Sequence, residues 1–129
     1  MARYSHLPIY KKSYDLFQEI FLAVKEFPRE YKYTLGEKLQ KETIDMVVYV
    51  YKANSDKDKC PSLENILERI QIVELILRLC RDMRILSLKK YSQIILIVEE
   101  IARQAEGWKK FNKFARQQSP LGTAVAPIT

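Results

Sequence analysis

Glycine is scarce in this chain, three in 129 residues, and proline adds only five. Chains that turn often need both, glycine to open positive-φ turns and proline to pre-set them. Few turn-formers in a long chain leave few turns and long elements, which points to helices. Histidine is nearly absent: His6 is the only one, beside two cysteines, Cys60 and Cys80. That scarcity excludes a ferritin-type site, which needs Glu-x-x-His pairs projecting into a bundle, and a zinc site of four clustered Cys, His or carboxylate ligands. It leaves Ser–His–Asp or Cys–His catalysis with one histidine that has no fixed neighbour. Glu99-Glu100 resembles a carboxylate pair, but adjacent helical residues point about 100° apart. No glycine-rich phosphate loop occurs. The longest uncharged helical runs, Met46–Tyr51 and Tyr91–Val98, are far shorter than the roughly 20 residues that span a bilayer. Met1–His6 has no apolar stretch of signal-peptide type. The expectation is a protein that is not an enzyme, uses no cofactor or metal, enters no membrane and works in the cytoplasm.

What is present is globular: 47% hydrophobic and 29% charged residues, in a length suited to one domain. Ile9, Tyr10, Tyr14, Phe17, Ile20, Phe21 and Val24 recur at three- and four-residue steps, the face of a first helix that ends at Pro28. Thr34-Leu35-Gly36-Glu37 has the pattern of a capping box opening a second helix. That helix carries Leu35, Leu39 and the run Met46–Tyr51; Ala53–Lys59 reads as a solvated loop. A third helix starts at Cys60-Pro61-Ser62, with Ser62 as N-cap, and holds Ile66, Ile70, Val73, Leu77 and Cys80 at near-heptad spacing. Ser87 caps the fourth, where Tyr91, Ile94, Ile95, Val98, Ile101, Ala102, Ala105, Trp108, Phe111 and Ala115 keep step until Pro120. Four amphipathic helices with short connections pack most economically as an antiparallel four-helix bundle. The expected division is an N-terminal arm (1–8), the bundle (9–118) and a disordered C-terminal tail (119–129). Tyr10, Phe21, Phe27, Trp108, Phe111 and Phe114 exceed one apolar stripe per helix, which points to burial against further copies of the chain.

The net charge is +6, and its distribution says more than its size. Arg78, Arg81, Arg84, Lys89 and Lys90 are offset only by Asp82, and Arg103, Lys109, Lys110, Lys113 and Arg116 only by Glu106. Five cations against one anion make each cluster +4, so the rest of the chain is slightly acidic. Lys109, Lys113 and Arg116 stand at i, i+4 and i+7, a stripe along one helix face. Such stripes bind phosphates by charge and counterion release without reading sequence. Trp108, Phe111 and Phe114 interleave with the second cluster and suit base stacking, although aromatics at this spacing equally suit a core. Two function classes therefore stand side by side. One is a nucleic-acid binder; the other is a protein-interaction module whose basic faces dock an acidic partner. A bundle holding a small molecule or metal lacks the ligands.

Phe27-Pro28-Arg29-Glu30-Tyr31-Lys32-Tyr33-Thr34-Leu35-Gly36-Glu37-Lys38-Leu39 resembles the signature of a bacterial four-helix-bundle family associated with intervening sequences in ribosomal RNA genes. Val98-Glu99-Glu100-Ile101-Ala102-Arg103-Gln104-Ala105-Glu106-Gly107-Trp108-Lys109-Lys110 is more similar to the accessory variability determinant family of diversity-generating retroelements, above all its phage-borne members. The resemblance covers nearly all of residues 8–116. It implies a non-catalytic partner of a reverse transcriptase in a bacterial host: a barrel-like homopentamer whose positive surface contacts the polymerase and template RNA or cDNA during mutagenic retrohoming.

Overall fold

The computed structural model describes the backbone of residues 8–118 and the side chains of residues 8–114. The expected tail, and all of the expected arm except Pro8, lie outside the described residues, as do His6 and the side chains of Ala115 and Arg116. Helix α1 spans Pro8–Lys25, α2 spans Glu37–Ser55, α3 spans Cys60–Asp82 and α4 spans Leu88–Gln118. A single turn at Arg29–Tyr31 and a π-helical turn at Lys32–Gly36 lead into α2. Each helix packs on the next, and α4 closes the cycle against α1. Successive helices joined by short connections run in opposite directions, which makes the antiparallel four-helix bundle.

The core follows a 4–3 rhythm. On α3, Leu63, Ile66, Ile70, Val73, Leu77 and Cys80 are buried, as their spacing predicts. On α4 the buried series is Ile94, Val98, Ile101, Ala105, Trp108 and Asn112. The last member corrects the sequence reading, which places Phe111 there: Phe111 is 39% exposed and Asn112 fully buried. A polar residue at a core position hides the stripe's last step. A similar shift occurs on α1. Its core face is Ile9, Ser13, Leu16, Ile20, Ala23 and Val24, while Tyr14 is 48% exposed. Ser13 can occupy the interior because its hydroxyl donates to the Ile9 carbonyl oxygen at 2.7 Å. Of the six surplus aromatics, Phe27 and Trp108 are buried within the single bundle. The β-branched run Met46–Tyr51 is helical throughout.

Three helix starts and ends differ from their sequence signals. Thr34 caps nothing: it sits inside the π turn, its hydroxyl directed at the Glu30 and Tyr31 carbonyl oxygens at 3.3 and 3.4 Å. Helical structure begins earlier, after Pro28, whose carbonyl accepts from the Tyr31 and Lys32 amides. Gly36 is needed here for closeness rather than for backbone freedom, since its φ is an ordinary −62°. A Cβ at this position would lie 2.7 Å from Val24 Cγ1 and 3.4 Å from Phe27 Cδ2.

Ser62 is likewise not the cap of α3 but a buried residue of its first turn. Instead, the Asp58 carboxylate accepts from the Cys60 amide at 3.2 Å. Ala53–Lys59 is a solvated loop only in its middle, where Asp56, Lys57 and Asp58 are exposed and non-helical. Ala53 and Asn54 are buried in the last turn of α2. Lys59 turns inward, donating from Nζ to the Ala53, Asn54 and Asp56 carbonyl oxygens at 2.9, 3.3 and 3.0 Å. A cation on the free carbonyls at a helix C-terminus is favoured by the helix dipole. Its cost is dehydration, which lowers the Lys59 pKa against the opposing pull of Asp56. By contrast, Ser87 caps α4 as expected, accepting from the Lys90 amide at 3.1 Å.

Two predictions follow from this packing. Gly36→Ala gains helix propensity yet forces Val24 to move in a filled core, so it should destabilise the protein by about 1–3 kcal/mol; a denaturant midpoint equal to or above wild type would refute the close approach. Neither cysteine forms a disulfide, and burial raises Cys80 to about 11 from an ordinary 9.0. Folding therefore favours its neutral form: that stability is complete below pH 9 and is lost as pH rises through 11. At neutral pH Cys80 should resist Ellman's reagent until the protein unfolds, with mass spectrometry showing any native label on Cys60.

Candidate nucleic-acid and partner interface

The two basic clusters occupy opposite ends of the bundle. Arg78, Arg81, Arg84, Lys89 and Lys90 surround the α3–α4 turn, whereas Lys109, Lys110 and Lys113 lie on the last turns of α4. From Lys89 to Lys110 along one helix is roughly 30 Å at 1.5 Å per residue. Asn112 Nδ2 lies 3.3 Å from Cys60 Sγ, which holds the second cluster against the start of α3. Arg103 stands between the clusters, and the Arg116 side chain lies outside the described residues.

Several of these cations have structural partners. Arg81 is half-buried, pairs with Asp82 at 2.9 Å and lies over the Tyr91 ring, 4.7 Å from its centroid. It ties α3 to α4 through a cation–π contact. Lys90 pairs with Glu19 of α1 at 3.2 Å, a link across the bundle. Arg103 is engaged by Glu100 one turn earlier. Arg78, Arg84, Lys89, Lys110 and Lys113 are exposed and Lys109 half-buried; none of these has an ion pair among the described residues.

Arg84 has a further distinction. Its φ is +60°, the left-handed region that α-helix C-termini usually reserve for glycine. The Ile85 amide donates to the Cys80 carbonyl at 2.8 Å and the Arg84 amide to Arg81 at 3.0 Å, the paired bonds of a Schellman ending. The turn thus accepts backbone strain while presenting a cation at its apex.

The aromatics beside the second cluster divide. Trp108 is 1% exposed and belongs to the core, so it stacks on nothing outside the bundle. Phe111 and Phe114 are 39% and 60% exposed and remain open beside Lys110 and Lys113. With the family model for bAvd-like proteins matching residues 7–112, most of the chain is accounted for. The chain belongs to the bAvd-like family. Its members are accessory variability determinant proteins, a family of accessory proteins not known as catalysts. No curated protein matches the chain. Among the described residues, no group of three or more His, Cys, Asp or Glu side chains is placed to hold a metal ion, and no helix is long and apolar enough to cross a membrane.

Sequence reasoning missed the pairing that removes Lys90 from the free set, because Glu19 lies 71 positions away. It also missed Lys25, isolated in sequence, which the fold brings to the α3–α4 turn beside Lys89. No local signal marks either one. Arg84→Gly should relieve the left-handed strain and stabilise the protein by about 1 kcal/mol. A lower thermal midpoint would show that the arginine side chain itself supports the turn.

Proposed function

We propose that this bAvd-like chain is a non-catalytic accessory protein of a diversity-generating retroelement. It binds the element's reverse transcriptase together with template RNA or its cDNA, in support of mutagenic retrohoming. The supporting observation is the end of α4: Lys110 and Lys113 are exposed and have no ion pair among the described residues, and Phe111 and Phe114 stand open beside them. Free cations neutralise phosphates, and exposed rings stack on unpaired bases of any identity. That combination suits single-stranded nucleic acid bound without sequence preference.

Self-association into a homo-oligomer, of the pentameric kind, is part of the same proposal. Ile44, Val48 and Tyr51 form an exposed apolar row on α2, and Leu75 and Leu79 of α3 form another that continues to Met83 at its C-cap. Rows of this kind, at i, i+4 and i+7 or i+8, are what one helix presents to another. In a ring, basic ends that bind weakly one at a time gain avidity.

Lys110→Glu with Lys113→Glu should weaken binding of a fluorescent single-stranded RNA by about tenfold or more at low salt, with helicity unchanged. Each lost phosphate contact should also flatten the salt dependence, by roughly 0.7 in the log–log slope for single strands. Equal affinity and slope for variant and wild type would sink nucleic-acid binding at this end. Failure of both the wild type and the variant to bind RNA or DNA would favour the protein-interaction reading.

A further inference from the structure

A groove of about 700 Å³ opens where the end of α1 meets the α3–α4 turn. Its volume is in the range of ligand-binding clefts. Ala23 and Leu86 are buried in its floor, with Ile85 half-buried and Leu22 54% exposed beside them. Lys25 comes from α1 and Lys89 from α4; both are exposed and have no ion pair among the described residues. Lys90 also lines the groove, with its charge committed to Glu19. Glu26 lies on the same lip.

We infer that this groove docks a short acidic segment of a partner protein, one that interleaves carboxylates with aliphatic side chains. The inference rests on the accessory-protein reading above and deepens its partner half, by assigning the two ends of the bundle to different partners. Charge complementarity selects the occupant: two exposed lysines without ion pairs among the described residues line the groove together with aliphatic side chains, so carboxylates would meet Lys25 and Lys89 while leucine- or isoleucine-like side chains cover Leu22 and Ile85. Nucleic acid fits this place less well. Among the described residues, no aromatic side chain lines the groove for a base to stack on. The other end of α4 has the opposite character, with open phenylalanines beside its free lysines. Opposite charges across a docking surface set partner choice and encounter rate.

The test uses the full chain and three probes: a labelled peptide of glutamates interleaved with leucines, one of the same glutamates interleaved with serines, and a labelled single-stranded oligonucleotide. Fluorescence anisotropy should show the glutamate–leucine peptide binding more tightly than the glutamate–serine peptide. Lys25→Glu with Lys89→Glu should weaken that binding at least about tenfold, while oligonucleotide affinity stays within about twofold. Glu26→Lys should tighten the peptide. All three positions are exposed, so helicity should persist, and Lys25→Gln with Lys89→Gln repeats the test without reversing charge. The inference is overturned if the leucine peptide fails to bind the wild type, if leucine confers no advantage over serine, or if the lysine variants leave peptide binding unchanged. A loss of oligonucleotide binding in those variants overturns it equally, by making the groove a phosphate site. The nucleic-acid reading fails separately, through an oligonucleotide that ignores Lys110 and Lys113.

Discussion

Burying four apolar seams in one shared core is the constraint on which the rest of this structure depends. Each helix packs on two neighbours, and α4 closes the cycle against α1. Such an arrangement hides about one stripe per helix, so apolar and charged residues beyond that stripe must face outward. Leu16, Ile20, Leu39, Met46, Leu63, Ile66, Leu77, Ile94, Ile101 and Trp108 fill the interior with essentially no exposure. Close packing of that kind tolerates few changes of volume, which is why the absence of a side chain at Gly36 matters. The π turn before α2 lies where that residue reaches Val24, so the entry to the second helix is shaped by contact with the first.

The interior also contains polar groups, and most of those described are tied. Glu42, 1% exposed, meets Lys38 at 2.8 Å and Arg69 of α3 at 3.1 Å. A buried charge needs such compensation, which here comes from two cations rather than one. Lys59 folds back on the carbonyls that end α2, and Arg81 and Lys90 fasten α4 to its two neighbours. Cations that seem equivalent in a count of charge are thus of two kinds. Some connect helices, and others remain available for phosphates or carboxylates.

Within the two basic clusters, cations without an ion pair among the described residues stand at two separated ends with different surroundings. Beside the α3–α4 turn they border an aliphatic groove; on the last turns of α4 they stand next to open phenylalanines. Under the proposed function, this asymmetry would let a bAvd-like protein engage two partners with different ends of the bundle. Exposed apolar rows on α2 and at the end of α3 leave side surfaces on which, in that proposal, copies of the chain would pack. Oligomer, polymerase and nucleic acid would then use different parts of one small bundle.

Helix number, the heptad core of α3, the Ser87 cap and the two basic clusters are local patterns, and all were legible in the residues. Scarce glycine and proline and the 4–3 spacing determine them, because hydrophobic burial acts on whole faces and tolerates an occasional exception. The exceptions were the illegible part. Ser13 and Asn112 occupy core positions that a polar side chain disguises, so Tyr14 and Phe111 read as buried when they are exposed. Thr34 and Ser62 have the chemistry of caps but lie inside helices, where Pro28 and Asp58 take over the ends. Residue type and spacing alone therefore determined the bundle and its positive charge. Which lysines are free, where the groove opens and how far apart the basic ends lie were decided only by tertiary structure. The reason is that ion pairing and enclosure depend on residues such as Glu19 and Lys90, distant along the chain and adjacent only once the helices have packed.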